Sequence, residues 1–242
     1  MKININHAAE RGFADHGWLK VWHTFNFSDY FNPLREKFGI IRVLNDEIIM
    51  PGESYEMHHY KNLEIIVIPI SGSIIFLDNS GNESILDPND VLLISAGKGI
   101  SYLLKNKSNT EPASLIQIWI FPKTKNEEPS VNIHKCKADD DYTKQKLIAS
   151  SHFEDNVLQI NQDAFLSRLN LISGQDFDYN PYNAKNVVLI FVIRGSIIIK
   201  DDLEVFEKDS IEIKEIELPI KLRALSAAQL LIIETIDDTN KT

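Results

Sequence analysis

Residues 56–63 read Glu-Met-His-His-Tyr-Lys-Asn-Leu and stand between a Pro-Gly turn and a run of Glu and branched aliphatics. In an extended strand side chains two apart share a face, so Glu56, His58 and Tyr60 point one way and Met57, His59 and Lys61 the other. A mononuclear metal site in a small barrel needs three or four neutral imidazoles or carboxylates converging from adjacent strands. His58 and Tyr60 occupy the place of one such pair. The partner strand should follow the next glycine turn, where the chain reads Gly97-Lys98-Gly99-Ile100-Ser101-Tyr102-Leu103-Leu104 and offers neither a histidine nor a carboxylate.

The elements that must position these residues are short strands. Ile40–Leu44, Leu63–Ile70, Ser73–Leu77, Val91–Ser95 and Leu115–Phe121 are each rich in Ile, Val and Leu and bounded by Gly, Pro, Asn or Asp, the pattern of an all-β sandwich or barrel. Ser71-Gly72 and Asn79-Ser80-Gly81-Asn82 read as hairpin turns. The segment Ile70-Ser71-Gly72-Ser73-Ile74-Ile75 returns as Ile193-Arg194-Gly195-Ser196-Ile197-Ile198, and Asn89-Asp90-Val91-Leu92 has a counterpart in Lys208-Asp209-Ser210-Ile211. Matching features in the same order argue for a duplicated β-unit. The layout resembles the cupin jelly roll, so the expected fold is all-β with two tandem cupin barrels: residues 1–125, a polar linker over 126–146 that includes Asp139-Asp140-Asp141, and residues 147–242.

Composition narrows the function. The net charge of -10 disfavours direct nucleic-acid binding. No apolar run is long enough to span a membrane, and Met1–His7 lacks the apolar core of a signal peptide, which places the chain in the cytoplasm. Cys136 is the single cysteine, which excludes an intrachain disulfide and a multi-cysteine zinc site. His134 and Cys136, two apart in the linker, offer only a weak pair of ligands. No Gly-rich phosphate loop or serine elbow is present.

Several blocks together resemble the pirin family. They are Arg11–Leu19 continuing through Trp22-His23-Thr24-Phe25-Asn26-Phe27 to Tyr30, then Arg42–Asp46, Ser95–Ile100 and Gln117–Ile120, with a fainter match at Asn161-Gln162-Asp163. The resemblance implies a two-cupin monomer, a metal in the N-terminal barrel, and in bacterial members a quercetin 2,3-dioxygenase-like activity; some eukaryotic members act as transcriptional co-regulators. It also implies a His-x-His, His-x-Glu ligand set, which falls here on His58, Tyr60, Tyr102 and Leu104. Only the first ligand is kept. Phenol is a poor ligand for divalent metals because its reference pKa is about 10, and Leu104 cannot coordinate.

Four readings of the stretch follow. His59 turns inward through a bulge and joins His58 and a tyrosine. Glu56 supplies a carboxylate beside His58. His58, Tyr60 and Tyr102 fill the former cavity as a mutually hydrogen-bonded cluster. The same three groups do metal-free acid-base chemistry. The preferred expectation is a metal-free, pirin-like binding protein with no cofactor, taking a small molecule in the N-terminal barrel or a protein partner. The rival is a quercetinase-like oxygenase holding a divalent metal or iron through His58 with help from Glu56, Tyr60 or Tyr102. His16 and His23 are expected to pack the N-terminal segment onto a barrel. The repeat offset puts Pro181 and Asn183 at the second-barrel positions of His58 and Tyr60.

Overall fold

The computed structural model describes residues 1–136, 144–152, 154–200, 202–216 and 219–238. Apart from a 3-10 turn at Ala8–Glu10, its regular elements are strands. The first barrel pairs a seven-stranded sheet with a four-stranded one. The order in the large sheet is Ser130–His134, Val91–Ser95, Glu64–Ser71, Ala113–Ile120, Ile41–Ile49, Leu19–His23 and Gly12–Asp15; in the small sheet it is His58–Tyr60, Ile100–Asn106, Ile74–Asp78 and Glu83–Leu86. The second barrel repeats the plan around Ser210–Lys214, Asn186–Arg194, Ala228–Ile236 and Ala164–Leu171, with Asp176–Tyr179, Ile220–Ala224, Ile197–Ile199 and Leu203–Val205 opposite. This is the all-β, two-barrel jelly-roll architecture read from the repeat. No helix among the described residues is long and apolar enough to cross a membrane.

The long aliphatic runs are explained by burial on both faces. In Glu64–Ser71, Ile65 and Val67 point into the first barrel, while Ile66 and Ile68 point toward the second. In Asn186–Arg194, Val188, Ile190 and Val192 fill the second barrel, and Val187, Leu189, Phe191 and Ile193 meet the first. The two large sheets therefore share one apolar layer, and no polar alternation is needed along these strands. Polar links rim that layer. Asp46 meets Lys208 at 3.0 Å and lies 3.9 Å from Arg11, whose guanidinium sits over Phe191 at 5.3 Å. Gln162 Nε2 donates to the Phe121 carbonyl at 2.6 Å and Lys123 pairs with Asp163 at 2.9 Å, so Asn161-Gln162-Asp163 zips the second barrel to the first.

The repeated turns are conformationally matched. Gly72 and Gly195 have φ of 70° and 81°, the left-handed region that favours glycine, and a Cβ on Gly195 would lie 2.1 Å from the Ala227 carbonyl oxygen. Asn89 and Lys208 share left-handed φ as well, and in each turn the following aspartate accepts a backbone N–H: Asp87 to Asp90 at 2.7 Å, Phe206 to Asp209 at 3.1 Å.

Three expectations shift. Ser71-Gly72 does not close a hairpin: Glu64–Ser71 pairs with Ala113–Ile120 and Val91–Ser95, whereas Ile74–Asp78 pairs with Ile100–Asn106 and Glu83–Leu86, so the turn carries the chain from one sheet to the other. The N-terminal strand Lys2–Asn6 pairs with Ser210–Lys214 and adds to the second barrel, because Ile3 and Ile5 pack on that barrel's core. Within 126–146, Ser130–His134 is a strand paired with Val91–Ser95 rather than solvated linker, with Val131 and Ile133 packed on the first core. The aspartate run at 139–141 lies outside the described residues.

Candidate functional site

His58–Tyr60 pairs antiparallel with Ile100–Asn106, setting Tyr102 opposite His58 and Ile100 opposite Tyr60. The four positions implied by the resemblance do lie on adjacent strands. What they present is an exposed imidazole at 58, a half-buried phenol at 60, and a buried phenol and isobutyl group at 102 and 104. The Tyr60 and Tyr102 rings stack at 4.8 Å between centroids. The two hydroxyls interact with each other, Tyr102 Oη being buried and outside strict hydrogen-bond geometry, but no hydrogen bond joins His58 to either, so the expected mutual satisfaction of the three polar groups is incomplete. Burial raises both phenols, Tyr102 well above its ordinary range with Tyr60 and Glu47 adding to it, so they stay protonated at neutral pH.

The inward turn of His59 does not occur. Strand register is regular, His59 faces outward, and its Nδ1 lies 3.1 Å from Ser101 Oγ. Glu56 is exposed at the mouth of the barrel cavity. Among the described residues no three His, Cys, Asp or Glu side chains converge in a group that could hold a metal.

The polar centre of the barrel lies elsewhere, on Glu47. In Ile41–Ile49 the residues 45, 47 and 49 face inward; Ile49 joins the core while Asn45 and Glu47 meet the cavity. Glu47, 2% exposed, accepts three hydrogen bonds: from Tyr55 Oη at 2.5 Å, Gln117 Nε2 at 2.7 Å and Asn45 Nδ2 at 3.2 Å. Trp119 Nε1 donates to Gln117 Oε1 at 3.3 Å, and Asn45 Oδ1 lies 3.0 Å from His23 Nδ1. Burial pushes the Glu47 carboxyl up, opposed by these bonds, and pushes the His23 imidazolium down. A buried carboxyl satisfied by neutral donors and open to a cavity can exchange a proton or receive a ligand's donor.

The cavity above this network has a volume of about 650 Å³. Its walls are rings meeting near right angles: Trp18 and Tyr55 at 88°, Tyr60 and Trp119 at 78°, Phe27 and Trp119 at 80°. Tyr30 closes one side by lying on Gly12, where a Cβ would come within 2.3 Å of its ring. His16 and His23, expected to be packing groups, both line this cavity, and His23 also packs against Phe27 at 5.3 Å and Tyr30 at 6.1 Å.

Among the described residues the second barrel has no counterpart of this cavity. Its strand equivalent to His58–Tyr60 is Asp176–Tyr179, with Tyr179 opposite Ile220 as Tyr60 is opposite Ile100. The equivalents are thus Phe177 and Tyr179 rather than Pro181 and Asn183, because the loop 180–185 is longer than 61–63 and the repeat offset does not extend upstream of it. Tyr179 Oη donates to the fully buried Glu234 at 2.8 Å, and Glu234 also accepts from the backbone N–H groups of Tyr182 and Asn183, both at 2.8 Å. That carboxylate anchors a loop, and the surrounding interior is packed aliphatic.

Comparison with known proteins matches the two barrels to separate family models. Residues 5–120 match the family model Pirin, and residues 147–235 match the model Quercetinase C-terminal cupin domain. The chain is 31% identical over 218 residues to Quercetin 2,3-dioxygenase of Escherichia coli (strain K12), covering 87% of this chain and 93% of that protein. It is 31% identical over 226 residues to a pirin-like protein of Caulobacter vibrioides, covering 92% and 95%. Among solved structures it superimposes on the bacterial pirin YhhW from Escherichia coli in complex with nickel(II) with a TM-score of 0.90 at 30% identity, over 97% of this chain and 99% of that one. With two jelly-roll barrels in tandem and similarity along nearly its whole length, the chain belongs to the pirin family of two-domain cupins.

Proposed function

We propose that the N-terminal barrel is a metal-free cavity that binds a small organic molecule, in a monomeric cytoplasmic protein. The observation that carries this is the pairing of a lined cavity of about 650 Å³ with a donor set unsuited to a divalent cation. One exposed imidazole, two phenols held protonated by burial and one isobutyl group stand where three imidazoles and a carboxylate would bind metal. Glu56 could add a carboxylate only from the exposed rim. Specific small-molecule sites are concave and mostly apolar with a few convergent polar groups, which describes the aromatic walls and the Glu47 network.

A metal-dependent oxidation of a flavonol is the second reading, favoured by the name carried by the Escherichia coli relative. On that reading His58 would hold the metal with Glu56, Tyr60 or Tyr102. The deciding experiment is elemental analysis of protein from cells supplied with iron, manganese, nickel and copper, with oxygen uptake on quercetin, repeated on His58→Ala. The binding reading expects metal far below one per chain and no uptake above the variant. Near-stoichiometric metal and turnover, both abolished by the substitution, would overturn it.

A further inference from the structure

Among the described residues lining the cavity, the charged side chains are Asp29, Glu47, Glu53 and Glu56, and no lysine or arginine is present. Asp29, Glu53 and Glu56 are exposed around the opening, which biases the rim negative, and Glu47, buried at the centre, adds carboxyl oxygens that accept hydrogen bonds on the floor. The nearby cations are spent elsewhere: Arg11 and Lys208 face Asp46 on the opposite side of strand Ile41–Ile49, and Lys20 meets Asp15 at 3.8 Å. An anionic ligand would enter against this field with no counter-charge to meet it.

The walls carry the same preference. Trp18 and Tyr55 make one perpendicular corner, at 5.1 Å between centroids; Trp119 with Tyr60, at 5.3 Å, and with Phe27, at 5.1 Å, makes another. Ring faces are the negative side of the aromatic quadrupole, and perpendicular rings around a void are the arrangement that holds an organic cation. Tyr55 also joins wall to floor, since its hydroxyl donates to Glu47.

We infer that this cavity takes a cationic organic ligand, an alkylammonium group carried on an aromatic or aliphatic body, with the ammonium placed between the aromatic corners and the Glu47 side. The inference rests on the reading of the barrel as a metal-free binding cavity. It has a chemical logic of its own: a bound divalent cation would offset the acidic lining, whereas the phenols at 60 and 102 leave that charge for a ligand to answer.

The test uses three probes of one shape and different charge, 2-phenylethylammonium, 2-phenylethanol and phenylacetate, titrated calorimetrically into the intact wild-type chain at neutral pH. The expected order is ammonium, then alcohol, then carboxylate, with the ammonium about tenfold tighter than the alcohol. Trp119→Leu should remove most of that preference, and Glu53→Gln with Glu56→Gln should reduce it without lowering thermal stability. If the alcohol or the carboxylate binds as well as the ammonium and loses affinity in Trp119→Leu, the charge inference falls while the binding-cavity reading stands. If none of the probes binds at millimolar concentration, the inference falls. Metal found at one per chain in the elemental analysis removes its premise and overturns both.

Discussion

The Tyr55 hydroxyl donates to Glu47 at 2.5 Å, tying the aromatic wall of the first barrel to its buried carboxyl. Burial and the adjacent carboxylate raise Tyr55 well above the ordinary phenol value, so it remains the donor across the neutral range. Tyr55→Phe removes that donor and keeps the ring. The expected loss is about 1–3 kcal/mol in urea unfolding, with the Glu47 carboxyl rising further because a bond to its charged form is gone. Unchanged unfolding in Tyr55→Phe would show that the bond contributes nothing to stability.

A second prediction concerns pH. Burial raises the Glu47, Glu64 and Glu212 carboxyls above their ordinary value of 4.5. The folded chain therefore holds these protons to higher pH than the unfolded chain does. Between 4.5 and the raised values the native state binds more protons, so stability falls as pH rises through that window and levels off above it. His23, pushed down by burial, works in the opposite sense below 6.5, so the carboxyl contribution is read as a difference: from pH 4.5 to 8 the wild-type urea midpoint should fall relative to that of Glu47→Gln. A Glu47→Gln profile parallel to wild type would assign the pH dependence to other groups.

Much of this site was hidden from the sequence for a physical reason. A strand read as Ile40–Leu44 stops at the first polar residue, yet the strand runs on through Asn45-Asp46-Glu47 to Ile49 with all three polar side chains buried. They are tolerated because each has partners: Asp46 between the barrels with Lys208, Asn45 and Glu47 inside with each other, Tyr55 and Gln117. The signal was there in the aliphatics that resume at Ile48-Ile49 and in the lone Gln117 between Ile116 and Ile118, since a polar residue inside an aliphatic strand asks for a buried partner. The repeat and the two barrels were legible because glycine turns and two-residue periodicity are local, whereas the adjacency of positions 58, 60, 102 and 104 followed from the resemblance to the pirin family and is borne out by the pairing of their strands. The cavity was not, because its lining comes from strands distant in the chain.

Restoring the ligand set is the third prediction. Tyr60→His, Tyr102→His and Leu104→Glu together would place three imidazoles and a carboxylate on strands already in register. Without metal, the glutamate replaces a side chain that is 1% exposed, and an uncompensated buried carboxylate costs several kcal/mol, so the triple variant should melt well below wild type. Nickel(II) should raise its melting temperature and leave wild type unmoved. A wild-type shift as large as the variant's would mean that the natural residues already hold the metal.

The last prediction tests how the chain's first strand serves the second barrel. Lys2–Asn6 covers the edge of Ser210–Lys214, Ile3 and Ile5 pack on the second core, and the Asn4 and Asn6 side-chain amides donate to Glu212 at 3.1 and 2.7 Å. Removing residues 1–6 should cost about 2 kcal/mol in half-buried isoleucine area and bare a row of unpaired backbone groups. Bared strand edges recruit other strands, so light scattering should report concentration-dependent association as well as a lower melting temperature. The first barrel, whose strands begin at Gly12–Asp15, should keep its cavity and bind the ammonium probe unchanged in the truncated chain at low concentration. Loss of that binding together with the second barrel's stability would mean that the shared apolar layer couples the two barrels into one cooperative unit.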